Sequence, residues 1–138
     1  MKRKRKLRLN HYDYTSDGYY FITICTFYNR PYLVGKNRDV VAQFIEQIVS
    51  KIEGVALDYY VLMPTHIHLI LIFERSKLNL GEVIRRIKAV TSKETQVKLW
   101  QPNYYEHIIR NEHALNKIRA YIVNNPLAEK IKFEQFYK

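Results

Sequence analysis

A chain of 138 residues, 47% of them apolar, is long enough for one hydrophobic core and has an ordinary globular composition. No apolar run reaches the ~18 residues of a membrane span, the basic start has no apolar segment behind it to make a secretory signal, and the single cysteine, Cys25, excludes an intramolecular disulfide and a cysteine-rich zinc site. Lysine and arginine number 23 against 13 aspartate and glutamate, a net charge of +10 that points to a polyanion as partner and away from a membrane.

The default expectation is one cytoplasmic domain over residues 1–138, opening with a basic N-terminal arm (residues 1–9) that carries Lys2, Arg3, Lys4, Arg5, Lys6 and Arg8. Residues 10–18 are polar and turn-like. Tyr19 to Tyr28 is rich in β-branched and aromatic residues and reads as a strand, with Phe21, Thr23, Cys25 and Phe27 on one face. From about Asp39 the period becomes helical through Val40, Val41, Phe44, Ile45, Ile48, Val49 and Ile52, and Gly54 is placed to end that helix. Val55 to Met63 and His66 to Phe73 follow as two strands whose short break suggests antiparallel pairing. Asn79 is the expected N-cap of a helix through Leu80, Val83, Ile84 and Ile87, with Arg85, Arg86, Lys88 and Lys93 on its far side. Trp100-Gln101-Pro102-Asn103 is a break, and Tyr104 to Ile109 a further strand. Asn111 caps a last helix that runs to Asn124 or Asn125, where Pro126 stops it. The order β-α-β-β-α-β-α predicts an α+β fold: a ferredoxin-like antiparallel sheet with packed helices, plus an added C-terminal helix.

Two features carry chemistry. Successive side chains of a strand point to opposite faces, so His66 and His68 project together from one face, about 7 Å apart along the chain. Paired histidines in a strand can be packing residues, but two imidazoles side by side on an otherwise apolar strand suit a metal ion, provided that other residues complete the set. On the last helix Leu115, Ile118 and Ile122 make an apolar stripe, and Tyr121 and Asn125, four residues apart, lie one above the other at its edge.

The combination resembles the single-tyrosine HUH transposases: His-hydrophobic-His on a central strand, then Tyr-x-x-x-Asn-Pro on a terminal helix. The phrases Met63-Pro64-Thr65-His66-Ile67-His68-Leu69, Trp100-Gln101-Pro102-Asn103-Tyr104-Tyr105-Glu106-His107-Ile108-Ile109-Arg110 and Tyr121-Ile122-Val123-Asn124-Asn125-Pro126 carry the likeness, with Gly18-Tyr19-Tyr20-Phe21-Ile22-Thr23 as the first strand. It covers nearly the whole chain and is closer to the REP-associated tyrosine transposases than to the insertion-sequence branch. The resemblance implies cleavage and rejoining of single-stranded DNA at the foot of hairpins, through a 5′-phosphotyrosine intermediate on Tyr121. It also implies His66, His68 and Asn125 as ligands of Mg²⁺ or Mn²⁺, which would help a phenol that is a weak nucleophile at neutral pH. A covalent intermediate retains the energy of the broken bond, and the chain shows no glycine-rich phosphate loop. Monomer and homodimer both remain open.

Further DNA contacts are expected from Arg85, Arg86, Lys88 and Arg110. Glu106 and His107 are placed near the histidine pair, in a supporting role or on DNA. Trp100, Tyr104 and Tyr105 are candidates either for stacking on unpaired bases or for the core. Two other readings stay in view: a non-catalytic, retired or host-adopted hairpin-binding protein, and a hydrolase built on His66, His68 and His107.

Overall fold

The computed structural model describes residues 17–124 and 133–138. Strands β1 (Gly18–Cys25), β2 (Val55–Met63), β3 (His66–Phe73) and β4 (Tyr105–Ile109) form one antiparallel sheet in the order β2-β3-β1-β4. Helices α1 (Gly35–Ser50), α2 (Leu80–Thr95) and α3 (Glu112–Asn124) complete it, with short 3-10 turns at Phe27–Asn29 and Phe133–Tyr137. The element order and the α+β class are those expected from the sequence. The basic arm lies outside the described residues, and among the described residues no helix is long and apolar enough to cross a membrane.

β3 explains the apolar run that follows the histidines, because the sheet is covered on both sides. Ile67, Leu69, Leu71 and Phe73 join Tyr20, Ile22 and Ile24 of β1 beneath α1 and α2. Ile70 and Phe21 point the other way, into a second core made with Ala114, Leu115, Ile118 and Ile122 of α3 and with Phe136. Each fully buried aliphatic or aromatic side chain of this kind contributes roughly 1.5–3 kcal/mol. α3 is therefore held to the sheet by its apolar stripe, on the face opposite α1 and α2.

Three local expectations are corrected. β1 stops at Cys25 rather than Tyr28: the Thr26 amide bonds to the Thr65 carbonyl at 2.9 Å, its hydroxyl lies 2.7 Å from the Arg30 carbonyl, and the chain turns there. α1 starts at Gly35, four residues before Asp39, because its first turn (Lys36, Asn37, Arg38) is polar and leaves no mark on the apolar period. Gly54 does not end α1, which finishes at Ser50; it lies in the turn into β2 with φ +85°.

A Cβ at Gly54 would fall 2.7 Å from the Glu74 carbonyl oxygen and 2.7 Å from the Ser76 Cα, against backbone that cannot rotate away. Gly54→Ala is expected to lower unfolding free energy by about 1–3 kcal/mol, read from the midpoint of urea denaturation at unchanged slope.

Candidate active site

The register of the central strands builds the site. Thr23 lies opposite His68 and Cys25 opposite His66 in the β1–β3 ladder, while Val61 and Met63 flank the same histidines from β2. Directly opposed residues share a face, so both imidazoles stand on the α3 side of the sheet. Both are buried, with 5% and 2% of their surface exposed, and their ring centroids are 4.8 Å apart. The Thr23 hydroxyl lies 3.0 Å from Nδ1 of His68, and the Thr65 hydroxyl 3.1 Å from Nδ1 of His66. Phe21 stacks on His68 at 5.2 Å. A hydroxyl on Nδ1 fixes the plane of an imidazole and directs metal ligation to Nε2. With Nδ1–H given to the hydroxyl, each ring has an Nε2 lone pair able to meet a metal ion.

α3 brings Tyr121 to this face. Asn111 caps the helix through a 2.8 Å bond from the Ala114 amide to its side-chain oxygen. Apolar contact presses the stripe onto the sheet but is non-directional. Direction comes from Arg119, whose Nε and Nη2 donate to the two carboxylate oxygens of Asp58 at 2.8 and 2.6 Å. Asp58 is the inserted residue of a β-bulge: Leu57 opposes Leu71 and Tyr59 opposes Ile70, leaving one extra residue on β2. The bulge lets Val55 and Leu57 pack under α1 and α2 while Tyr59 and Val61 pack toward α3. A planar two-point fork of this kind sets the rotation of α3 two residues before Tyr121. The half-buried Tyr121 ring meets Phe136 edge-on at 5.4 Å.

The C-terminal turn Phe133–Tyr137 closes over β4. His107 stacks on Phe133 at 3.9 Å, and its Nε2 lies 2.8 Å from the Tyr137 hydroxyl. The Arg110 guanidinium sits 3.8 Å from the Tyr137 ring and pairs with Glu134 at 3.6 Å. His107 faces the same side as the histidine pair, opposite Phe21, whereas Glu106 lies opposite Ile22 and is buried on the α1–α2 side. Arg85 and Arg86 are exposed on α2, on the far side of the sheet, and both hold Glu82, whose carboxyl their hydrogen bonds keep down at about 2. Lys88 bonds to the carbonyls of Gln101, Pro102 and Asn103 at 2.8–3.1 Å and so fastens that loop. Of the aromatics, Trp100 is buried, its indole donating to Thr91, and Tyr104 is buried too; Tyr105 is 54% exposed. Asn125, Arg3 and Arg5 lie outside the described residues. Alternation puts Thr23 on a face of β1 and the motif includes Thr65, but neither these two nor Asp58 and Arg119 are marked by the sequence as parts of the site, and nothing local marks the bulge.

The family model for IS200-like transposases matches residues 14–125, and the chain belongs to that family. A protein of Haemophilus influenzae (strain Rd) described as uncharacterized is 36% identical to it over 90% of this chain and 88% of its own length. Two solved structures share the fold. One is a REP-associated tyrosine transposase bound to a REP hairpin (TM-score 0.74, 23% identity, 92% of this chain and 73% of that one). The other is a Deinococcus radiodurans protein assigned as a transposase (TM-score 0.59, 21% identity, 90% and 97%).

Asp58→Ala would leave the Arg119 guanidinium without its two-point acceptor on a half-buried surface. A loss of about 1–3 kcal/mol is expected, with amide exchange accelerating along α3 while β3 keeps its protection, as read by hydrogen-exchange mass spectrometry.

Proposed function

We propose that this transposase cuts and rejoins single-stranded DNA beside a hairpin, with Tyr121 as nucleophile. The observation that carries the reading is that the helix bearing Tyr121 docks on the same sheet face as His66 and His68. The Tyr121 phenol oxygen would bond to the scissile phosphorus as the 3′-oxygen leaves with a proton, giving a 5′-phosphotyrosine and a free 3′-hydroxyl. The reverse attack by a 3′-hydroxyl would reseal the strand, bond for bond. Neither direction requires an external energy source.

The donor set suits a divalent cation. Two buried imidazoles held by threonine hydroxyls are preorganised ligands, and among the described residues no third His, Cys, Asp or Glu joins them. Asn125, one helical turn beyond Tyr121, would complete the set with an amide oxygen, leaving positions for phosphate oxygens. Such a mixed set favours Mg²⁺ or Mn²⁺. When bound, the ion would neutralise phosphate charge and stabilise charge developing in the transition state.

The hairpin substrate rests on the REP-associated likeness of the motifs and on the related fold that holds a REP hairpin. A net charge of +10 suits a polyanion, and Arg3, Arg5, Arg85 and Arg86 are the cations proposed for phosphates. Lys88 and Glu106 are instead read as structural. A cytoplasmic location goes with a DNA substrate.

End-labelled hairpin DNA, incubated with the protein and Mn²⁺, is expected to give an SDS-resistant, protease-sensitive adduct. Tyr121→Phe should abolish the adduct, and His66→Ala or His68→Ala should slow its formation by about 100-fold or more. Binding without adduct would identify a non-catalytic hairpin binder, and cleavage without adduct a hydrolase.

A further inference from the structure

One segment at the histidine end of the sheet is built in a way that packing does not explain. β1 ends at Cys25, the partner of His66, and the chain turns through Phe27–Asn29. Tyr28 and Asn29 are both in the left-handed region, with φ of 54° and 53°. Asparagine tolerates that conformation, but a bulky residue with a Cβ does not adopt it without strain. The core gains nothing in return, because Tyr28 is 72% exposed. Its ring lies edge-on to Phe27 at 4.4 Å. The Arg30 guanidinium is 5.6 Å from the Tyr28 centroid, and the Lys98 ammonium stands 4.6 Å from that of Phe27.

This turn is bolted to the candidate site. The Thr26 amide bonds to the Thr65 carbonyl at 2.9 Å, the Phe27 amide to Leu99 at 2.8 Å and the Leu33 amide to Pro64 at 3.1 Å. Thr65 is also the residue whose hydroxyl meets Nδ1 of His66. A strained, exposed ring with one cation over it and a second over the neighbouring Phe27, on a turn bonded to the residue beside a metal-ligand candidate, has the character of a ligand clamp.

We propose that Tyr28 is a stacking platform for one unpaired base of the substrate strand, with Arg30 and Lys98 receiving the phosphates on either side. Aromatic faces accept any base, and adjacent cations follow the backbone, which is how single strands are held without pairing. The proposal rests on the single-stranded DNA reading above and adds where the strand runs: from the histidine end of the sheet out across the Phe27–Asn29 turn.

The test uses the full chain carrying Tyr121→Phe, so that binding is read without chemistry, and a fluorescent hairpin with single-stranded flanks. Tyr28→Phe should bind as the parent does. Tyr28→Gly and Tyr28→Asn, which accept the left-handed backbone, should weaken binding about 5- to 150-fold, the loss of one stacked base. Tyr28→Gly should also melt at a higher temperature than the parent, because the strain is gone. Removing bases one at a time from the flank should reveal one position whose loss weakens the parent and leaves Tyr28→Gly indifferent. Undiminished binding by Tyr28→Gly, or a base-removal profile identical in both proteins, overturns the platform. The adduct assay with Tyr121 intact separates the two claims. Adducts together with undiminished Tyr28→Gly binding sink the platform alone; Tyr28-dependent stacking without adducts upholds it and sinks the transesterase.

Discussion

The antiparallel pairing of β1 with β3, and its register in particular, is the constraint on which the rest depends. Thr23 opposite His68 puts a hydroxyl on the ring it must orient, and Cys25 opposite His66 ends β1 where the turn toward Tyr28 begins. A slip of one residue would send both histidines under α1 and α2 and turn Ile67 and Leu69 toward α3. That slip is opposed from both sides, because β3 is buried on each face and each face has its own apolar set. The hydrophobic pattern that fixes the strand thus fixes the donor atoms as well.

Helix α3 answers to different forces. Its apolar stripe gives most of the attraction but little orientation, and the Asp58–Arg119 fork, together with the ring contacts of Phe133–Tyr137, supplies the orientation. The fork exists only because of the bulge in β2, which also lets that strand change the face on which its apolar residues lie. One irregular residue thereby serves the packing of the sheet and the placement of the tyrosine helix. The charge arrangement is asymmetric too: Arg85 and Arg86 lie on the face away from the histidines, while Arg30 and Lys98 stand beside the turn that follows β1.

Much of this was legible in the chain. The element order, β2 and β3, the Asn79 and Asn111 caps and the shared face of His66 and His68 all follow from local periodicity and spacing. What escaped depends on contacts between distant residues. The polar first turn of α1 carries no apolar period, so the period marks the helix only from about Asp39 although it begins at Gly35. Gly54 looked like a helix terminator because a glycine just after an apolar helical run usually is one, whereas the backbone of residues 74–76 decides its role here. Lys88 reads as a nucleic-acid candidate by residue type, and Trp100 and Tyr104 as candidates for stacking or for the core; carbonyl partners for the first and burial for the other two are set by how the 100–104 loop crosses α2. Asp58 and Arg119, 61 residues apart, could not have been joined without the fold.

The measurement that tests the account most directly is the location of the covalent bond. The protein would be incubated with Mn²⁺ and hairpin DNA, denatured, treated with nuclease and trypsin, and sequenced by mass spectrometry. A nucleotide remnant on the peptide spanning residues 120–130, at Tyr121, is the predicted result. A remnant on any other residue, or DNA cut with no modified peptide, would contradict the assignment of the nucleophile and of the helix that presents it.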